Sequence, residues 1–234
     1  VGGANLSLQL AAANNISLTS AGAIKSIQAG TWNSTGLISA PSIVTIKILH
    51  DATMSISAGA VRTLTVGGTL ANSTLTLTAG GIKDLTTFKA GALSNTQINA
   101  TGNLGSLTAG SMVNSQIYAG IVSLPIGQAL PTAAGDFSAQ DIITSIKIGK
   151  GQGAATYVNS SIAAAQIRSA TLGKVQFSNN AIPFGIAAHN IVTLTATAPT
   201  GKTFTLKKLA TQAAATAQLA AKGIAPQDFV IRIV

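Results

Sequence analysis

The sequence predicts an all-β fold, a parallel β-helix (β-solenoid) of right-handed sense, with a short C-terminal helix and a terminal strand. Three observations predict it. A block of the form aliphatic-any-Ser/Thr-aliphatic recurs about every twenty residues, an Asn/Ser-rich companion follows it, and aliphatics alternate with Thr or Ser inside the runs. A unit this short cannot bury a core alone, so each copy must be covered by its neighbours in a stack.

The first half of the unit reads Ile24-Lys25-Ser26-Ile27, Ile43-Val44-Thr45-Ile46, Val61-Arg62-Thr63-Leu64, Ile82-Lys83-Asp84-Leu85, Leu104-Gly105-Ser106-Leu107, Ile121-Val122-Ser123-Leu124 and Ile191-Val192-Thr193-Leu194. Its two aliphatics are three apart, which strict alternation would place on opposite faces. A bend is therefore expected at the intervening Ser or Thr, whose hydroxyl can bond nearby backbone. The second half reads Asn33-Ser34-Thr35, Asn72-Ser73-Thr74, Ser94-Asn95-Thr96, Asn114-Ser115-Gln116 and Asn159-Ser160-Ser161, with Ile or Leu close behind. In 72–80 the aliphatics fall at every second position with β-branched Thr between, the period of a strand with one face buried. Six Ala-Gly dipeptides, at 29–30, 58–59, 79–80, 90–91, 109–110 and 119–120, are expected to form a row of corners with Gly at positive φ. At least two strands per turn are implied.

The ends differ from the middle. Thr211 to Ala221 is Ala-rich and reads as helix, with Lys222 in its last turn and Gly223 as its stop. Residues 1–206 are thus the expected solenoid, and 207–234 a cap or assembly segment of the same domain. Phe229-Val230-Ile231-Arg232-Ile233-Val234 is β-prone and apolar on both faces. It can lie on its own stack or add to the edge of another copy. The expectation is head-to-tail association, with Leu6, Leu8 and Leu10 of the first strand as acceptor and Phe229, Val230, Ile231 and Ile233 as donor, building an open filament or layer.

Composition bounds the chemistry. The 234 residues are 47% hydrophobic and only 8% charged, with 24 Gly and no Cys, which excludes disorder, disulfides and thiolate metal sites. No apolar run approaches the ~18 residues of a membrane span. The first residue is Val1 and no leader pattern is present, as expected of a processed chain or a piece of a longer one, both compatible with export. The sequons at Asn5, Asn15, Asn33, Asn72, Asn99 and Asn159 arise from the repeat and are not taken as glycosylation sites. Fourteen basic residues against five acidic ones give a formal +9, which favours polyanions. The expected contacts are Lys25, Arg62 and Lys83, read as one outward slot interrupted by Val44 and Gly105, and Lys147 and Lys150 around Gly149. Breaks in the pattern at 125–135 and 149–155 are expected loops of a binding side.

Catalysis finds little to work with. The chain has no Glu, and Asp51, Asp84, Asp136, Asp141 and Asp228 do not cluster as paired general acid and base or as calcium repeats. Asp136 and Asp141 are read as turn caps, and His50 with Asp51 as a surface turn. Gly149-Lys150-Gly151-Gln152-Gly153 lacks the Lys-Ser/Thr ending of a phosphate loop. Thr63-Leu64-Thr65 and Thr74 to Thr78 hint at a flat ice-binding array, which Gln97 and Asn99 break one turn later. Trp32 is the one candidate for an exposed aromatic anchor, set against packing over a corner. No enzyme activity, cofactor or metal is expected, nor a specific nucleic acid.

The blocks of residues 103–120, Asn103-Leu104-Gly105-Ser106-Leu107-Thr108-Ala109-Gly110 and Ser111 to Gly120, resemble the beta strand repeat units of large surface proteins from planctomycetes and related bacteria. The resemblance covers roughly residues 13–200; Pro125 to Gln140 and the Ala-rich tail depart from it. It implies an exported, cell-surface or matrix-building protein and carries over no functional residues. The expected function is a non-enzymatic extracellular structural protein that assembles end to end into a filament or surface layer of like copies. The alternative is an adhesin, or a module binding acidic polysaccharide or cell-surface glycan.

Overall fold

A computed structural model describes residues 6–80, 83–138, 140–149 and 154–234. The described strands join into one mostly parallel sheet of 18 strands, with a single α-helix among the described residues. Successive repeats pair along three ladders, and each ladder gathers one position of the repeat into a column. In the first, Ile43, Val61, Leu85, Leu104, Ile143, Ile167 and Ile191 are consecutive partners. In the second, Ala13, Trp32 and Ala52 follow one another, as do Leu70, Leu93, Met112 and Tyr157. In the third the column is Leu18, Ile38, Ile56, Leu75, Ile98, Ile117, Ile162, Ile186 and Ile231. The columns meet in one core, where β-branched and γ-branched side chains stack on copies of themselves.

The three-residue spacing of the first block has a simple cause. Ile43 pairs with Val61 and Thr45 with Thr63, so the pairing passes over Val44 and Arg62, which are exposed. The bend sits at the variable residue and not at the Ser or Thr. It recurs in layer after layer and turns both aliphatics inward.

Two blocks are placed differently from the sequence expectation. Val61 pairs with Leu85, so the ladder copy is Leu85-Thr86-Thr87-Phe88; Lys83 precedes it, and Ile82 lies outside the described residues. Ile121 leaves the ladder altogether and bridges Phe137 antiparallel. Its place beside Leu104 is taken by Ile143-Thr144-Ser145-Ile146, and Ile167-Arg168-Ser169-Ala170 follows. Several segments satisfy so loose a pattern, and long-range pairing decides among them.

The corners also divide their work otherwise than expected. Asn72, Asn95, Asn114 and Asn159 carry the positive φ, at 47°, 48°, 48° and 40°, a region asparagine tolerates through local side-chain hydrogen bonds. The hydroxyl behind each is buried and serves two layers. Ser115 Oγ donates to Val113 C=O at 2.8 Å and accepts Thr96 N–H at 3.1 Å; Ser73 Oγ donates to Ala71 C=O at 2.7 Å and accepts Met54 N–H at 2.9 Å. Outside, the asparagine amides link layers, Asn95 to Asn72 at 3.2 Å and Asn159 to Asn114 at 2.9 Å. Of the Ala-Gly corners, only Gly80 and Gly120 have positive φ. Gly30 and Gly110 are needed for another reason: a Cβ there would sit 2.4 Å and 2.3 Å from a carbonyl oxygen of the layer beneath.

At the C-terminal end the stack changes character. Strand Thr203–Leu209 folds back antiparallel on Asn190–Thr197. Helix α1 (Gln212–Ala221) follows, capped where Thr211 Oγ1 accepts Ala214 N–H at 3.1 Å and ended by Gly223 at φ 63°. Strand Phe229–Ile233 then pairs in parallel with Phe184–Ala188 and completes the third ladder. Phe184, Phe229, Phe177 and Tyr157 pack their rings together under this end.

Candidate functional site

Four surfaces can carry function: the two ends, the side covered by the 121–138 excursion, and the outward columns of the first ladder. At the C-terminal end, two glutamines of α1 occupy strand edges. Gln212 accepts Ile233 N–H at 2.9 Å and donates to Ile231 C=O at 3.2 Å. Gln218 accepts Lys207 N–H at 3.0 Å and donates to Lys207 C=O at 2.8 Å. Each primary amide supplies one donor and one acceptor, the pattern a further strand would present. Phe229, Ile231 and Ile233 point into the core of the same chain and are buried, while Val230 faces outward.

The N-terminal end is built differently. Strand Leu6–Asn14 pairs with the following layer, Leu6 with Ile24 and Leu8 with Ile27, and no second partner occurs among the described residues. Leu6, Leu8 and Leu10 are half-buried, and Leu6 and Leu10 with Ile16 and Leu18 lie against the core. This end presents aliphatic side chains and a strand edge.

The 121–138 excursion does not project as a loop. It folds down on the outer side of the third ladder, where Leu130 and Phe137 form a second small core with Tyr118, Ala163, Ala165 and Ala187. Upstream, the outward positions of that ladder are Ser57, Thr76 and Asn99; beneath the excursion they become Tyr118, Ala163 and Ala187, and lose their polarity because they are covered. Tyr118 donates to Ala129 C=O, Arg232 to Pro131 C=O at 2.9 Å, and the Phe137 and His189 rings meet at 4.8 Å. Burial pushes the Tyr118 phenol far up, so it stays protonated and donating. Asp136 ties the excursion to itself, accepting Thr132 N–H, Ala133 N–H and Ser123 Oγ–H at 2.8, 2.9 and 2.8 Å. The backbone donors of Thr132, then Ala133, then the Ser123 hydroxyl hold its carboxyl below the usual range.

Three more carboxylates are structural in the same sense. Asp51 accepts Thr69 N–H at 2.7 Å, Asp84 accepts Gly102 N–H at 2.8 Å, and Asp228 accepts Asn179 N–H at 2.5 Å and Ala181 N–H at 3.1 Å. Trp32 is buried, so it offers no exposed anchor. A cavity of about 720 Å³ near the C-terminal end is lined by Phe177, Asn179, Ala198, Ile224 and Gln227 among others, with Lys174 the one titratable side chain among its described lining residues. Those residues supply no acid–base pair. Among the described residues no cluster of metal-ligating side chains occurs, and no helix is long and apolar enough to cross a membrane.

The basic residues fall into unexpected groups. Lys25 and Arg62 occupy the passed-over position of the first ladder, Lys83 lies before that ladder, and Lys150 lies outside the described residues. Lys147 stands in another column, that of Lys47, Thr65, Lys89, Thr108, Lys147, Thr171 and Thr195, consecutive partners on the outward side. The signal was available: each of these residues stands four places after the first aliphatic of its block. Ile82 and Ile121 also fit the block pattern, and counting from them misses this column.

Comparison of the chain with protein-family models, with curated proteins and with solved structures finds no match.

Proposed function

We propose that the chain is a non-enzymatic structural protein of the cell exterior, a right-handed parallel β-solenoid of the beta strand repeat kind that associates end to end with its own copies. The observation that carries this reading is the N-terminal layer, where strand Leu6–Asn14 keeps one edge without a partner among the described residues and Leu6, Leu8 and Leu10 only half-buried. Such an edge recruits a strand and hides its aliphatics in doing so. The accepting edge belongs to one copy; the strand Phe229–Ile233 of the next meets it once Gln212 releases the outer edge. Four of the five aspartates, Asp51, Asp84, Asp136 and Asp228, support a structural role, since each accepts backbone N–H groups that hold turns.

Sedimentation across a range of concentrations tests it. The chain should associate progressively and with little dependence on salt, because strand pairing and apolar burial are short-ranged. Leu8→Lys with Leu10→Lys should abolish association while circular dichroism stays unchanged. A chain with residues 1–10 intact that remains monomeric at high concentration overturns the reading.

A further inference from the structure

The first ladder carries a charge pattern that end-to-end association does not use. Lys47, Lys89 and Lys147 are exposed and stand in one outward column, separated by Thr65 and Thr108. Neighbouring strands lie about 4.8 Å apart, so the ammonium groups repeat at roughly 9.6 Å along the stack. Beside them runs an unbroken hydroxyl column, with Thr45, Thr63, Thr87, Ser106 and Ser145 as successive partners. Lys25, Arg62 and Arg168 add positive charge from the passed-over positions, and Lys207 and Lys208 from the strand that folds back at the end. No strand of this ladder contains an acidic residue.

We propose that this side binds a linear acidic polysaccharide carrying one carboxylate for every two sugars, laid along the axis of the stack. The period selects the partner. An extended β-linked disaccharide rises by about the distance that separates the lysines, so successive carboxylates meet successive ammonium groups, while Ser and Thr hydroxyls face sugar hydroxyls as both donors and acceptors. Duplex DNA presents a charge about every 1.7 Å and would leave most phosphates unmatched. Single strands bind through stacking on aromatic side chains, and the aromatics of these strands, Trp32, Phe88 and Phe204, are buried in the core. The inference is independent of whether copies join end to end.

Binding of size-defined hyaluronan oligosaccharides, in which a uronate alternates with an uncharged sugar, tests the proposal by calorimetry at low and physiological salt. Three variants of the whole chain are compared. The triple Lys47→Gln, Lys89→Gln, Lys147→Gln should weaken binding about eightfold, a factor of about two for each exposed charge contact. Lys83→Gln, Lys202→Gln, Lys222→Gln removes the same charge off the column and should cost less than about twofold on that basis. Lys47→Arg, Lys89→Arg, Lys147→Arg keeps the column charged and should bind as the native chain does. Equal losses in the two Gln triples would mean that net charge alone is read, and would overturn the proposal. So would binding of hyaluronan no tighter than of an uncharged glucan, or complete displacement by single-stranded DNA at equal charge. Circular dichroism on each variant separates lost binding from lost fold.

Discussion

Replacing Gln212 and Gln218 together by Ala removes the two amides that sit on strand edges at the C-terminal end. Four hydrogen bonds go with them, two to Ile231 and Ile233 and two to Lys207. A hydrogen bond contributes about 0.5–1.5 kcal/mol net, and these edges can bond water once uncovered, so the lower figure applies and the double variant loses about 2 kcal/mol. For a chain of this size that corresponds to a fall of about 4–8 °C in Tm. The helix itself is not weakened, because Ala is a better helix former than Gln.

Amide exchange by NMR gives the sharper measurement. The N–H groups of Ile233 and Lys207 are bonded to the glutamine side chains, so both should lose protection in the variant while the N–H of Ile186, deep in the third ladder, keeps it. Uncovered edges should also raise self-association. Unchanged Tm together with unchanged protection of Ile233 and Lys207 would refute the idea that these amides stand in for a strand.

Two further outcomes are expected inside the stack and in the excursion. Ser115→Ala leaves the Thr96 N–H buried without its acceptor, and should cost about 1–3 kcal/mol in urea denaturation, with the slope unchanged. Asp136 has a folded pKa below its unfolded value, so its stabilising contribution is present above about pH 4 and is lost as the pH falls through the lower folded value. Hydrogen exchange of 121–138 should therefore rise in acid relative to Asp136→Asn measured at the same pH, and identical curves would show that the carboxylate does not hold the excursion.

What the sequence made legible was whatever repeats locally. The third-ladder column follows from the Asn/Ser companion with Ile or Leu behind it, and the helix from Thr211, its Ala run and Gly223. What it hid depends on distant partners. Ile121-Val122-Ser123-Leu124 fits the block pattern as well as Ile143-Thr144-Ser145-Ile146 does, and only the pairing with Leu104 chooses the second. Pro125, Gly127 and Pro131 punctuate the excursion and give it the local signature of a loop. Its signature lay elsewhere, in Ala163, Ala165 and Ala187, where the outward positions of a strand turn small and apolar because something covers them. The two-faced terminal strand has the same explanation: Phe229, Ile231 and Ile233 fill the core, while Val230 and Val234 lie under the excursion. An Ala-Gly corner suggests positive φ at Gly30 and Gly110, but in a stack the tighter constraint is the carbonyl of the layer below.

The spacing of Lys47, Lys89 and Lys147 invites a stability argument, and its limits are informative. Like charges on directly paired residues repel and destabilise a sheet, so lysines in one column should not occupy adjacent layers. At twice the strand spacing, about 9.6 Å, they stand roughly a Debye length apart at physiological salt and repel little. Repulsion thus accounts for the Thr between each pair, but it favours scattering the lysines over several columns and gives no reason to collect them in one. The passed-over positions also hold three basic residues, Lys25, Arg62 and Arg168, but at unequal intervals among Val44, Thr86, Gly105, Thr144 and Val192. Setting three lysines at regular alternate layers of one column, on a ladder whose strands contain no acidic residue, costs repulsion that an arrangement spread around the stack would avoid, and an extended polyanion lying along that column would offset it.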